Sequence, residues 1–243
     1  MLNGKSFLAI VPARGGSKRL PRKNVLDLAG KPLIAWTIEA ARNSKYIDKI
    51  VVSSDDTEIL QIADDLRVGI IKRPNELAGD TATTFSVIEH VLQQNIGKFD
   101  FIVLLQPTSP LRNAHHIDEA IELLAQKNAD AIISVCETEH SPLWTNTLPE
   151  DGNMNFFLNS EIKNKRSQDL PRYFRLNGAI YICSVDKLNE CQTLLIDKNS
   201  FAYKMTISDS VDIDTQLDFT IAEIQLNTKS CCKKNKRVNE WKK

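Results

Sequence analysis

The chain has 243 residues, a length that accommodates one large α/β domain with a small attached element and is short for two full domains. Apolar residues make up 42% of it and charged residues 26%, proportions that exclude a disordered chain. The net charge is zero, yet residues 229–243 carry seven basic side chains and one acidic one, which leaves residues 1–228 at −6. We interpret residues 229–243 as a disordered tail rather than a surface for nucleic acid or an anionic membrane.

No apolar run approaches the ~18 residues that a membrane span needs, and the first residues show no signal-peptide pattern. We therefore expect a cytoplasmic protein without a membrane partner. The five cysteines form no Cys-x-x-Cys pair and the four histidines no His-x-x-x-His pair, so neither a disulfide framework nor a zinc site is expected. Any bound metal should be held by oxygen.

The first half of the chain alternates between two kinds of segment. Short runs of Val, Ile, Leu and Phe predict strands buried on both faces, at 7–12, 49–54, 68–72, 101–106 and 130–136. Stretches with apolar residues at three- and four-residue spacing predict helices between them, at 32–44, 57–67, 84–95 and 115–127. This alternation predicts an α/β fold with a mostly parallel sheet flanked by helices.

The alternation stops at residue 137. Residues 137–175 are polar and contain three prolines and an EDGN turn, so we expect an excursion from the sheet. The core pattern then resumes with predicted elements at 177–183, 184–190, 203–207 and 215–226. We expect residues 1–228 to form a single domain.

The loop after the first predicted strand is rich in glycine and basic residues. In a doubly wound sheet, ligands bind beyond the carboxyl ends of the strands, which is where this loop begins. Gly15 and Gly16 permit positive-φ conformations that aim backbone N–H groups at phosphate oxygens, while Arg14, Lys18 and Lys23 supply countercharge. The loop is neither a Walker A motif nor a Gly-x-Gly-x-x-Gly motif. By composition it is either a polyphosphate site or a solvated basic loop.

The segment VDIDTQLDF, residues 211–219, contains a second candidate group. If it is extended, Asp212 and Asp214 point to the same side, where two carboxylates suit one Mg²⁺ ion. Alternatively, Asp214 or Thr215 caps the last helix. After the second strand, Asp56 is expected to cap the following helix.

Residues 73–85, RPNELAGDTATTF, contain Arg-Pro and several helix-capping residue types. They suit the entry to a helix or a pocket wall whose backbone reads a base, and the sequence pattern leaves both open.

Five segments occur together in the order and spacing typical of the acylneuraminate cytidylyltransferases, the CMP-sialic acid synthetases, and of the similar CMP-legionaminate and CMP-pseudaminate enzymes. They are PARGGSKRLPRKN, RPNELAGDTATT, LLQPTSPLR, RLNGAIYI and DSVDIDTQLD. The chain resembles this family over about residues 5–226. The resemblance implies a Rossmann-like, glycosyltransferase-A-like nucleotidyltransferase fold. It also implies that the anomeric hydroxyl of a nine-carbon α-keto acid sugar attacks the α-phosphate of CTP, giving a CMP-sugar and pyrophosphate with Mg²⁺ present.

The same resemblance implies a role for each matched residue. The catalytic residues would be Arg14, Lys23, Asp212 and Asp214, the last two also holding the metal. The nucleotide would be bound by Arg14, Gly15, Gly16, Ser17, Lys18, Lys23, Asn24, Arg73, Asp80 and Thr84. The sugar would contact Gln106, Arg175, Asn177 and Arg166, among which we rank Arg166 last.

In this family, residues corresponding to about 140–174 form a dimerisation element, so the resemblance implies a homodimer. Two other functions are weighed against this one. A Kdo-type or other sugar nucleotidyltransferase is one, although the Kdo branch should carry an acidic residue where this chain has Gln106. A non-catalytic nucleotide-binding module is the other, and the presence of both Asp212 and Asp214 counts against it.

Overall fold

The structure, a computed structural model, describes residues 1–79 and 81–240, with the backbone alone for residues 230–240. The strands of this part are β1 (Phe7–Pro12), β2 (Asp27–Leu28), β3 (Lys31–Pro32), β4 (Lys49–Ser54), β5 (Gly69–Lys72), β6 (Phe101–Leu104), β7 (Ala131–Glu137), β8 (Phe174–Ser184) and β9 (Ser200–Lys204). Its α-helices are α1 (Leu33–Arg42), α2 (Thr57–Asp65), α3 (Thr84–Leu92), α4 (Ala114–Lys127), α5 (Val185–Cys191) and α6 (Gln216–Glu240).

The main sheet has seven strands in the order β5-β4-β1-β6-β8-β7-β9, and β2 pairs with β3 in a separate ribbon. Strand β8 runs antiparallel to both of its neighbours, whereas the other pairings in this sheet are parallel. The predicted α/β fold with a mostly parallel sheet is therefore confirmed. Because the parallel strands share one direction, the loops that leave β1, β4 and β6 emerge at the same edge.

The central strands of the sheet are buried on both faces, which explains why they are continuously apolar. Along β1, Phe7, Ala9 and Val11 belong to one core, while Leu8 and Ile10 belong to the other. Helices α1, α2 and α4 cover the first face, and α3 and α5 cover the second. A third apolar cluster lies under α6, which anchors that helix near the edge of the sheet.

Two predicted helix starts have the expected chemistry. The carboxylate of Asp56 accepts hydrogen bonds from the backbone N–H groups of Glu58 and Ile59, so the predicted cap of α2 is confirmed. At α6, Thr215 Oγ1 accepts from the N–H of Asp218, and Asp218 Oδ2 accepts from the N–H of Thr215 at 2.7 Å. This reciprocal pair is a capping box; Asp214 contributes only its backbone N–H to Asp218, and its side chain takes no part in the cap.

The excursion predicted at 137–175 spans Thr138 to Tyr173, because β7 includes Glu137 and β8 begins at Phe174, and it contains neither strand nor α-helix. It has two short 3-10 turns, Pro142–Trp144 and Ser167–Asp169. Several of its apolar side chains are exposed, with Phe156 the most exposed at 93%.

Helix α6 is longer than the sequence predicts, because it continues past residue 226 to Glu240. Most of the stretch predicted as a disordered tail is thus helical, and residues 241–243 lie outside the described residues. None of the helices described combines the length and apolar character needed to cross a bilayer.

Candidate active site

A cleft of about 630 Å³ opens at the carboxyl edge of the sheet. It is bounded by the loop after β1, the entry to α3, the loop after β6 and the segment before α6. Most of the predicted site residues line it: Arg14, Ser17, Lys18, Lys23, Asn24, Arg73, Thr84, Gln106, Asp212 and Asp214. The basic loop and the aspartate pair, which lie at opposite ends of the sequence, therefore meet in one cavity.

The two groups are in direct contact. Lys23 Nζ lies 3.0 Å from Asp214 Oδ1 and also donates to the carbonyl oxygen of Ile213. Arg19 Nη1 lies 2.9 Å from the second carboxylate oxygen of Asp214. The side chain of Lys23 is buried, whereas that of Arg19 is largely exposed. Two cations from the first loop thus hold one carboxylate of the pair.

Asp212 and Asp214 flank Ile213. The backbone at Ile213 is fixed because its N–H donates to the carbonyl oxygen of Thr108 at 2.8 Å. Desolvation by the surrounding protein raises the pKa of Asp212, and the charge of Asp214 acts in the same direction. A hydrogen bond from the Thr108 hydroxyl acts in the opposite direction. Burial beside a second carboxylate thus disfavours the ionised form of Asp212.

The glycine loop is seated against the turn before α2. The N–H of Gly15 donates to Asp55 Oδ1 at 3.1 Å, and a Cβ on Gly15 would lie 2.5 Å from Asp56 Oδ2. Gly15 and Gly16 are absent from the positive-φ glycines of the described residues, so the expected positive-φ role is wrong. Gly15 is needed for close approach instead, and Gly16 faces open space.

Arg73 is buried at the end of β5 and lines the cleft. Its guanidinium donates to the backbone carbonyl of Ser53 at 2.7 Å and to the carbonyl of Leu77 at 3.4 Å. Burial lowers its pKa, and Asp55 partly opposes this effect. Arg73 thus braces the wall that continues through Thr84 at the start of α3, while Asp80 lies outside the described residues.

Gln106 follows β6 and lies opposite Asp212 across Gly178 of β8. Gly178 has φ +74°, and a Cβ there would lie 2.6 Å from Gln106 Oε1 and 3.8 Å from Asp212 Oδ2. Only glycine therefore lets the backbone of β8 pass between these two side chains.

The structure does not bring all predicted sugar contacts into the cleft. Asn177 is 1% exposed, and its amide bonds to Ser134 and Ser210, so it supports the wall from behind. Arg175 pairs with Glu139 at 2.8 Å. Arg166 pairs with Asp169 on the excursion. None of Arg166, Arg175 and Asn177 is among the residues that line the cleft.

Some residues in the cleft or directly behind it were not predicted. Arg19 and Thr108 contact the aspartate pair, and Gly178 sets the space for Gln106. Arg19 belongs to the same basic run as Lys18, which was the available signal. No local pattern indicates the other two, because their roles depend on contacts between distant strands.

The donor chemistry of the cleft fits Mg²⁺. Across the residues searched for metal centres, which exclude those the structure leaves undescribed, no group of three or more His, Cys, Asp or Glu side chains could hold a metal. Mg²⁺ is commonly held by only one or two carboxylates together with water and substrate phosphates. Asp212 and Asp214 supply such a pair beside the basic loop.

Comparison with known proteins identifies the relatives of this chain. A family profile described as cytidylyltransferase matches residues 8–236. The chain is 36% identical over 227 residues to a CMP-N,N'-diacetyllegionaminic acid synthase of Legionella pneumophila, covering 89% of this chain and 94% of that one. It is 33% identical to a pseudaminic acid cytidylyltransferase of Campylobacter jejuni, with similar coverage. It is 36% identical to an N-acylneuraminate cytidylyltransferase of Streptococcus agalactiae but spans only 51% of that protein.

Solved structures extend the likeness to the fold. A CMP:2-keto-3-deoxy-manno-octonic acid synthetase complexed with CTP superposes with a TM-score of 0.70 at 18% identity, covering 92% of this chain and 99% of that one. A 4-diphosphocytidyl-2C-methyl-D-erythritol synthase from Anaerococcus prevotii superposes at 0.65 and 15% identity, over 93% of this chain and all of that one. At such identities the likeness concerns architecture alone, and it agrees with the Rossmann-like fold expected from the sequence.

Proposed function

Because this chain belongs to the cytidylyltransferase family, we propose that it activates a nine-carbon α-keto acid sugar with CTP, releasing pyrophosphate. The anomeric hydroxyl of the sugar is the nucleophile, and the α-phosphate of CTP is the centre attacked. The O–P bond to the sugar forms as the bond from the α-phosphate to the pyrophosphate oxygen breaks. The products are a CMP-sugar and pyrophosphate, and the hydroxyl proton leaves to solvent or base.

The observation that carries this proposal is the contact between Lys23 and Asp214 in a cleft of adequate size. Phosphoryl transfer depends chiefly on positioning and on electrostatic stabilisation, so a site needs cations for phosphate and oxygen ligands for a metal. This cleft has both within hydrogen-bonding distance of each other.

Each side chain then has a separate task. Arg14, Lys18 and Lys23 bind the triphosphate and stabilise the charge that develops on it. Arg73 and the segment entering α3 form the wall against which cytidine lies. Gln106, across from the aspartates, orients the sugar.

Asp212 and Asp214 would hold Mg²⁺. When bound, Mg²⁺ neutralises phosphate charge and lowers the pKa of a hydroxyl that it binds. Lys23 and Arg19 pair with Asp214. Both cations would pair instead with the phosphates of a bound nucleotide, which would leave the Asp214 carboxylate available to hold the metal.

The class of sugar follows from the relatives, whose names specify legionaminate, pseudaminate and acylneuraminate. The test is release of pyrophosphate from CTP and Mg²⁺ with a panel of these nine-carbon acids and with Kdo. We expect release with at least one nine-carbon acid and little with Kdo or with UTP in place of CTP. A preference for Kdo would favour the alternative function. If none of the sugars tested caused release of pyrophosphate, the proposal would be overturned.

We also propose that the chain acts as a homodimer through residues 140–174. The support is Phe156, which is 93% exposed although it is a large apolar side chain on an excursion from the domain. A Phe156→Ser variant should sediment as a monomer where the unaltered chain sediments as a dimer. A wild-type monomer at micromolar concentration would overturn this part.

A further inference from the structure

The loop that carries the phosphate-binding cations is fastened to the start of α2 at two separate points. The first attachment is a hydrogen bond from the N–H of Gly15 to Asp55 Oδ1 at 3.1 Å. The second attachment is made by the guanidinium of Arg22, which donates to the carboxylates of Asp56 and Glu58. Residues 16–21 lie between these two points.

Asp56 serves the second point and the helix at once, and its side chain packs against Gly15 at the first point. Its Oδ1 accepts from the N–H groups of Glu58 and Ile59 at the start of α2, while its Oδ2 binds Arg22. Its side chain also fills the space that a Cβ on Gly15 would need. Burial opposes ionisation of Asp56, but the hydrogen bonds from Arg22 and from the backbone of Ile59 leave its pKa lowered. Asp56 is thus a fixed anion around which the loop is arranged.

Arg22 connects this anchored segment to the residues that line the cleft. It has a left-handed backbone, φ 58° and ψ 21°, and immediately precedes the 3-10 turn Lys23–Val25 that turns Lys23 and Asn24 inward. The side-chain amide of Asn24 donates back to the carbonyl of Arg14 at 3.0 Å. The two arms of the loop, one bearing Arg14 and the other Lys23, are therefore held at a set separation.

We propose that Arg22 and Asp56 are positioning residues for the triphosphate: their ion pair, which lies outside the cleft lining, fixes the spacing of Arg14 and Lys23. The proposal rests on the proposed function, since it assigns the pair to binding of CTP phosphates. Misplacing binding groups by a fraction of an ångström weakens their contacts with a rigid ligand, whereas groups that read cytidine are not affected.

The test compares titrations of CTP, tripolyphosphate and cytidine, each followed by calorimetry. Asp56→Asn keeps a good helix cap and removes the charge that Arg22 needs, and Arg22→Gln removes the partner. We expect each variant to bind CTP and tripolyphosphate about five- to tenfold more weakly and cytidine unchanged. The double variant should be no worse than Arg22→Gln alone, because that variant already removes the contact with Asp56 along with the one to Glu58. Arg22→Lys should recover part of the affinity.

Glu190→Gln is the matched control, since it removes an exposed ion pair with Lys187 on α5, far from the loop. Thermal unfolding of every variant verifies that it folds. Equal losses for cytidine and CTP, or additive losses in the double variant, would overturn the proposal.

Amide hydrogen exchange separates this proposal from the function on which it rests. Without any ligand, exchange of residues 13–24 should be faster in Asp56→Asn than in the unaltered chain. Unchanged exchange would overturn the anchoring itself. A wild-type chain that binds neither CTP nor tripolyphosphate would overturn the proposed function, and the role assigned to the ion pair in phosphate binding with it.

Discussion

Lys23 Nζ and Asp214 Oδ1 lie 3.0 Å apart although 191 positions separate these residues in the chain. The contact joins the loop after the first strand to the segment before the last helix. It also defines what a ligand must do on entering the cleft, because an anion must compete with Asp214 for Lys23 and a metal must compete with Lys23 for Asp214. The proposed metal-nucleotide complex would satisfy both groups together.

Replacing Lys23 by Ala should impair the use of CTP far more than the use of sugar. We expect the KM for CTP to rise about 30- to 100-fold, because a charge-assisted contact to phosphate is lost, while the KM for the sugar changes little. Steady-state kinetics with each substrate varied in turn measures both constants. Lys31→Ala is the control, because Lys31 pairs with Glu39 and does not line the cleft. An effect confined to the sugar KM would contradict the assignment.

Replacing Asp214 by Asn should leave the chain folded and reduce turnover more than ~100-fold, because the charge of a metal ligand is lost. Asp218→Asn is the matched control in the same segment. Asp218 accepts the N–H bonds of the α6 capping box, so its replacement should lower the melting temperature slightly and leave turnover within a few-fold. Near-normal turnover in Asp214→Asn would show that this carboxylate does not act in the reaction.

Replacing Gly178 by Ala should reduce kcat at least about tenfold, because the added Cβ displaces Gln106 beside Asp212. Gly152→Ala is the control that separates the effect of displacing Gln106 from the effect of backbone strain. Gly152 also has a positive φ, +69°, but a Cβ there meets nothing within 4 Å. Both variants should lose some stability in thermal unfolding, and only Gly178→Ala should lose turnover. Equal kinetics for the two would contradict the positioning of Gln106 by β8.

The stability of the chain should depend on pH through Asp100, which precedes β6. Hydrogen bonds from Lys5 and from the backbone and hydroxyl of Ser6 lower the pKa of Asp100 to about 2. Because the folded pKa is below the ordinary value, the contribution is fully present above about pH 4 and is lost as pH falls towards 2. It is modest, since the pair is partly exposed.

Denaturant unfolding of the unaltered chain and of Asp100→Asn at a series of pH values measures this contribution. The difference between their free energies of unfolding should be constant from pH 7 to pH 5 and shrink below pH 4. A difference that grows on acidification would mean that the sign is wrong.

Much of the fold was predictable because its physical cause is local. The strands at 7–12 and 49–54 are buried on both faces, so their apolar runs alone indicate their bounds, which the structure matches. The convergence of polar loops at one sheet edge follows from parallel pairing. Composition and spacing marked the basic loop and Asp212–Asp214 as candidates but left a solvated loop and a helix cap open. The structure places both groups in one cleft.

The features of the fold and the site that were not predicted depend on contacts between segments that are distant in sequence. The insertion of antiparallel β8 between β6 and β7 leaves no periodic signal that distinguishes it from a parallel strand. Asn177 is polar and directly precedes Gly178, which packs against Gln106. The side chain of Asn177 is nevertheless buried, and it hydrogen-bonds to Ser134 and Ser210. The need for glycine at position 15 arises from Asp56, on a different strand end, rather than from its own backbone angle.

The central claim is that the basic loop and the aspartate pair bind the same metal-nucleotide complex. Calorimetric titration of CTP with and without Mg²⁺ tests this claim most directly. The unaltered chain should bind CTP at least about tenfold more tightly when Mg²⁺ is present. This gain should vanish in Asp214→Asn, and Lys23→Ala should weaken CTP binding in both conditions while leaving cytidine binding unchanged. A CTP affinity that is the same with and without Mg²⁺, or a gain that Asp214→Asn retains in full, would contradict the claim.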